Sequence, residues 1–170
     1  MWGTDMTTTF TAADGQVANF FAVDHRSLAC VGRHAAKPAT RFEALEPQRH
    51  RVKEYFGGFA PLAAQGRALR HDHGSQYISH DFQEEIAFLG ISSSPAFVRA
   101  PEGNGGAERF VRIRKENLLW VQDFATVEEW RQALRLFQRR YNEQWLIQRH
   151  GYKTPAQVRQ EQLRSLPLAA

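Results

Sequence analysis

The chain has 170 residues, a single cysteine and a net charge of +4, a size that suits one domain with its own core and not a second domain of ordinary length. The lone Cys30 excludes an intrachain disulfide framework and any zinc cluster built from cysteines, and is expected to be a small buried apolar residue in a reducing cytoplasm. No run approaches the ~20 apolar residues needed to span a bilayer and no secretory pattern opens the chain, so a soluble intracellular protein is expected, with no membrane role.

Trp2 to Phe10 reads as a Thr-rich strand, and Asp14-Gly15 marks the turn into a second strand at Gln16 to Val23. Leu28 to His34 is expected to return as a third antiparallel strand. Thr40, with Glu43 three residues on, forms a capping box for a helix. Pro47 predicts a kink or restart in it, before an end at Gly57-Gly58. Ala68 to His71 is short and apolar enough to be a fourth strand, delivering Asp72 at its C-terminal end, where α/β sheets place ligands.

Ser79 is expected to cap a helix with Phe82, Ile86 and Leu89 on one face, closed by Gly90, before a brief strand at Ile91 to Ser94. Pro95 to Gly106 reads as a mobile loop. A helix is expected from Asn104 or Gly105 to about Trp120. Thr126 and Glu129 open another, whose Trp130, Ala133, Leu134, Phe137 and Tyr141 recur at helical spacing as a core stripe. Thr154-Pro155 starts a last short helix.

Charge is spread unevenly along this order: residues 1–95 carry nine Lys/Arg against ten Asp/Glu, and residues 96–170 carry thirteen against eight. A basic half beside acidic metal-ligand candidates suits a polyanionic substrate, with a solvated helical surface as the plainer account. The acids that stand out are Asp5 on the first strand, Asp72 in Arg70-His71-Asp72-His73-Gly74-Ser75-Gln76-Tyr77, and Glu108 in Asn104-Gly105-Gly106-Ala107-Glu108-Arg109-Phe110. Three carboxylates from separate elements are a donor set for hard divalent cations that keep waters for a phosphate substrate. Taken singly, each has an ordinary alternative as a turn or capping residue, and Asp24 competes with Asp5.

These segments, with Trp2-Gly3-Thr4-Asp5 and Tyr152-Lys153-Thr154-Pro155-Ala156, resemble the integrase-core domain of bacterial insertion-sequence transposases, relatives of retroviral integrases, over nearly the whole chain. The resemblance implies a ribonuclease-H-like α/β fold, a mixed five-stranded sheet flanked by helices, as a single catalytic core over residues 1–165. It implies that Asp5, Asp72 and Glu108 hold two Mg²⁺ or Mn²⁺ ions for 3′-end cleavage and strand transfer on DNA, at element ends and target, with a homo-oligomer forming during synapsis. Relatives carry a helix-turn-helix segment upstream. Here Met1 lies four residues before Asp5, so end recognition is expected to be missing or supplied by a separate helix-turn-helix protein. A cytoplasmic, nucleoid-associated bacterial location follows from the same resemblance.

On a helix at about 100° per residue, Glu108, Arg112 and Lys115 share a stripe, with Ala107, Phe110, Val111 and Leu118 on the opposite side as the anchoring face. Arg112 and Lys115 are candidate DNA contacts, against the alternative of a salt-bridged surface in which Glu108 pairs with Arg112. Asn104 is a candidate for orienting the catalytic segment as well as capping its helix. His71 and His73 alternate with Asp72 and are expected on the opposite sheet face, away from any metal. The chain departs from the family where Gly103, Asn104 and Gly105 stand for Asp, Asn and Ala, and where Arg114 stands for a common Leu. A non-catalytic DNA- or transposase-binding remnant and a purely hydrolytic ribonuclease-H-like nuclease are the alternative functions.

Overall fold

The computed structural model describes residues 1–96 and 105–164, apart from the side chains of 105–108 and 163. The first hairpin forms as the turn residues dictate: β1 (Trp2–Thr11) and β2 (Gly15–Asp24) pair antiparallel from Thr11↔Gly15 to Trp2↔Asp24. Gly15 closes it at φ +74°, a left-handed conformation that favours glycine. β3 (Cys30–Ala36) begins two residues later than the apolar run suggested. The cause is local, since Leu28 itself is left-handed (φ 59°) and donates its N–H to the Asp24 carbonyl at 2.7 Å, prolonging the turn.

β4 (Arg67–His71) pairs parallel with β1, and β5 (Ile91–Pro95) parallel with β4, giving a five-stranded mixed sheet in the order β3-β2-β1-β4-β5. β2 is covered on both faces. Its odd residues Val17, Phe21 and Val23 pack with Phe110, Trp130, Leu134 and Tyr141, while Ala18 and Phe20 pack with Leu45, Val52, Tyr77 and Phe82. Burial on both sides explains its near-continuous apolar sequence, and each fully buried Phe contributes roughly 1.5–3 kcal/mol. The exception, Asn19, is satisfied: its amide donates to the Val17 carbonyl at 3.2 Å and its Oδ1 accepts from the Trp130 indole.

α1 (Arg41–Phe56) starts at the Thr40 cap and ends at Gly57, left-handed at φ 76°. The expected restart at Pro47 does not occur; the helix runs unbroken through it. Ala44, Leu45, Gln48, Arg51 and Val52 are buried on both sides of the proline, and this packing offsets the ~3 kcal/mol that an interior proline costs. The sheet meets the helix here at Gly32, where any Cβ would fall inside the Pro47 carbonyl oxygen.

Ser79 takes the expected N-cap position, its carbonyl accepting from Gln83 N at 3.1 Å, but without the side-chain capping bond. A short α2 (Ser75–Ile78) precedes α3 (His80–Phe88), and the Ser79 hydroxyl donates back to the Gln76 carbonyl at 3.1 Å. α4 (Gly105–Arg114) is likewise shorter than expected, passing into a π-helical turn over Lys115–Leu119 with Trp120 N–H on the Lys115 carbonyl at 3.0 Å. α5 (Val127–Gln144) is capped by Thr126 and buries Trp130, Leu134, Phe137 and Tyr141 as the stripe predicts. α6 (Pro155–Arg164) has a reciprocal cap: Thr154 Oγ1 accepts from Gln157 N at 3.2 Å, and Gln157 Oε1 from Thr154 N at 2.8 Å. The loop expected between β5 and α4 lies mostly outside the described residues, and no described helix is long and apolar enough to cross a membrane.

Candidate active site

The register of the parallel pair sets the geometry. Trp2 is level with Leu69 and Gly3 with Arg70; carried two residues further, the same offset sets Asp5 level with Asp72, the first residue beyond β4. Level residues of parallel neighbours share a face. Asp5 is also the cross-strand partner of Phe21, whose ring meets Phe110 of α4 edge-on at 5.5 Å. Asp5 therefore belongs to the sheet face that α4 covers, and Asp72 follows directly on the end of β4.

Each carboxylate is fixed by a nearby backbone N–H: Asp5 Oδ1 accepts from Met6 at 2.8 Å and Asp72 Oδ1 from Gly74 at 2.8 Å. A Cβ at Gly74 would sit 2.9 Å from Asp72 Oδ1 and against the Gln76 side-chain amide, so glycine keeps the carboxylate and amide close over this turn. The buried Tyr77 phenol feels both acids. Burial, first, and then the charges of Asp5 and Asp72 push its pKa up.

α4 supplies the third candidate. Phe110 (buried, with Tyr141 at 4.9 Å) and Val111 fix its inward side, and Leu118 packs partly on the same core. The backbone of Glu108 belongs to this helix; its side chain, and Asn104 altogether, lie outside the described residues. Arg112 is exposed and pairs with Glu116, one turn toward the C-terminus, at 2.8 Å, which raises its pKa; the pairing with Glu108 that the sequence suggested falls on a side chain outside the described residues. Lys115 opens the π-helical turn, half-exposed. Among the described residues no group of three or more His, Cys, Asp or Glu is placed to hold a metal ion.

Two features escaped the sequence. Arg114, at the position where a Leu is common, is fully buried with its guanidinium 4.6 Å from the Phe21 ring centre. Burial pushes it down to about 10, and the charges of Cys30 and Asp5 act in the opposite direction. The second is His71, which as expected leaves the Asp72 side of the sheet and packs with Tyr77 and Phe82. Its Nδ1 lies 2.6 Å from the Asp72 carbonyl and its Nε2 2.9 Å from the Ser93 hydroxyl. A carbonyl only accepts, so Nδ1 donates to it and Nε2 accepts from Ser93. The backbone of Asp72 is thereby clamped from below by a side chain that burial keeps neutral, its pKa pushed down. Its burial against two aromatic rings and its neighbour Ser75-Gln76-Tyr77 were the available signals.

The mixed sheet with flanking helices is the fold of integrase catalytic cores, the ribonuclease-H-like class. Among solved structures, the catalytic core domain of BIV integrase superposes with a TM-score of 0.69 at 21% identity, over 96% of this chain and 95% of that one. The HTLV-2 integrase catalytic core in complex with magnesium, in its trimeric form, gives 0.66 at 20% identity over 92% and 93%. A chain of the simian T-cell lymphotropic virus intasome in complex with PP2A regulatory subunit B56 gamma gives 0.67 at 18% identity over 99% of this chain and 55% of that one. No protein-family model matches the chain, and no curated protein matches it.

Proposed function

We propose that the chain is the metal-dependent catalytic core of a DNA transposase or integrase of the insertion-sequence kind. The observation that carries this reading is the parallel β1–β4 pairing, which ends at Gly3 and Arg70, two residues before Asp5 and Asp72, and supports their convergence beside the helix that bears Glu108. In this reading Asp5, Asp72 and Glu108 hold Mg²⁺ or Mn²⁺. The donors suit such ions: they are carboxylate oxygens, and those of Asp5 and Asp72 are already oriented by backbone N–H groups. Two bound ions supply Lewis acidity to the attacking and leaving oxygens of an in-line displacement.

The chain's own part is positioning. His71 and Gly74 fix Asp72 from its backbone and its carboxylate. Lys115 and Arg112 reach phosphate oxygens of the DNA, and Asn104 orients the segment leading to Glu108. The Arg112–Glu116 pair is exposed and contributes little, so exchanging Glu116 for a phosphate costs little. In the first step a water oxygen bonds to phosphorus as the P–O3′ bond breaks, and the freed 3′ oxygen takes up a proton. In the second, that 3′-hydroxyl oxygen bonds to a target phosphorus and displaces the target's own 3′ oxygen. Synapsis of two ends calls for more than one copy, and end recognition for a helix-turn-helix partner, in the cytoplasm with the DNA.

The test is a strand-transfer assay with a pre-cut DNA end, Mg²⁺ or Mn²⁺, and Asp72→Asn beside the wild type. Joining of the end to a second duplex by the wild type alone supports the proposal. Hydrolysis without joining would assign a nuclease, and neither reaction, with unchanged DNA binding in Asp72→Asn, a non-catalytic binding protein.

A further inference from the structure

Away from the acids, on the far side of β2, the β3 edge and α5 enclose a cavity of about 160 Å³ together with α1, several times the ~30 Å³ share of one water. Its polar lining is dominated by Arg33, Arg131 and Arg135, with His34, His50 and one carboxylate, Glu128. Both histidines already have acids of their own, His34 with Glu43 and His50 with Glu46 at 3.6 Å. Glu128 is shared between Arg131 at 3.5 Å and Arg135 at 3.3 Å, long contacts that leave both guanidinium groups with donors to spare. Arg131 is held in place from behind, its Nε on the Ala35 carbonyl at 2.8 Å.

Arg33 is the informative residue. It is half-buried and lines both this cavity and the adjoining one, as does Arg135. Burial lowers its pKa, the positive charge of Arg135 lowers it further, and Glu54 and Cys30 oppose them. Arg33, Arg131 and Arg135 converge on the cavity and outnumber its one lining carboxylate, Glu128, while Glu54 acts on Arg33 from the adjoining cavity. A single carboxylate would leave most of that charge unmet. A phosphate group carries about −1.5 to −2 charges and three acceptor oxygens, which matches convergent guanidinium forks.

We propose that the cavity between β3, α1 and α5 is a binding site for a phosphate group, held by Arg33, Arg131 and Arg135. The site is independent of Asp5 and Asp72 and does not rest on the catalytic reading. Free phosphate compounds and the backbone of a nucleic acid both offer this chemistry.

Inorganic phosphate, compared with chloride at matched ionic strength, is expected to raise the melting temperature of the full chain by about 4 °C or more near saturation. Arg135→Gln, at an exposed position that does not burden folding, is expected to weaken phosphate binding about tenfold or more, and Arg33→Gln the same. Arg140→Gln, an equal charge change on the same helix outside the cavity, should leave it intact. A short DNA duplex separates the sources: loss of duplex affinity in Arg135→Gln assigns a backbone phosphate, and unchanged duplex affinity with lost phosphate binding assigns a free one. No melting shift with phosphate, or a shift that Arg135→Gln and Arg140→Gln retain equally, overturns the proposal.

Discussion

Gly32 and Gly74 both lack a side chain because something else needs the space, and the occupants differ. At Gly32 the occupant is backbone, the Pro47 carbonyl of a helix pressed onto β3. At Gly74 it is functional side chain, the Asp72 carboxylate and the Gln76 amide. Neither glycine has a positive φ, so neither is explained by a turn. The first contact lets a proline-bearing helix lie close to the sheet and belongs to stability. The second holds an acid in a chosen orientation and, under the proposed function, belongs to the site. In this chain the β3–α1 region and the β4–α2 turn use the same residue type for different ends, and substitutions should separate them.

The largest effect is expected at the acid itself. Asp72→Asn should lower strand transfer by roughly 10³-fold or more, as when a group that stabilises transition-state charge is lost, with urea unfolding near wild type; an active variant would remove the site from this turn. Gly32→Ala should show the reverse pattern, a loss of about 2–3 kcal/mol in urea unfolding through overpacking against backbone, because the Pro47 carbonyl cannot yield as a side chain can. Gly74→Ala should fall between, lowering metal-dependent activity about 10–100-fold with a smaller stability loss than Gly32→Ala. Equal stability losses at the two glycines would collapse the distinction.

A pH series probes the clamp below Asp72. The folded-state pKa of His71 is depressed, so the unfolded chain binds a proton that the folded one refuses. Its contribution is complete above the ordinary imidazole value of about 6.5 and is lost as pH falls from there through the folded value. Urea midpoints should decline over that window in the wild type and decline less in His71→Gln. The smallest effect belongs to Arg112→Gln, which should leave stability within about 0.5 kcal/mol and reduce the salt slope of DNA binding by about 1.

Much of the architecture was legible because strand alternation, Asp14-Gly15 and the caps at Thr40, Thr126 and Thr154 are local signals that burial then reinforces. The restart expected at Pro47 did not follow because the proline's cost is local, while burial of Ala44, Leu45, Gln48, Arg51 and Val52, with the close approach that Gly32 permits, offsets it. Ser79 holds the cap position that the sequence suggests, but its hydroxyl is taken by the preceding turn. The start of β3 was missed because the left-handed Leu28 prolongs the preceding turn, and Asn142, 112 positions away, then accepts from Cys30 N and donates to Cys30 O, both at 2.9 Å. For the site, the sequence supplied the candidates, and the parallel pairing of β1 with β4 supports the convergence of Asp5 and Asp72. The buried Arg114 and the His71 clamp depend on which face each side chain takes, which a motif does not encode.

The central claim is that Asp5, Asp72 and Glu108 share metal ions. Titrating Mn²⁺ into isotope-labelled protein and following paramagnetic broadening of amide signals tests it residue by residue. The account predicts that signals around residues 5, 72 and 108 broaden first and together, and that Asp72→Asn abolishes the effect. Broadening confined to other acids, or to one of the three segments without the others, would contradict it.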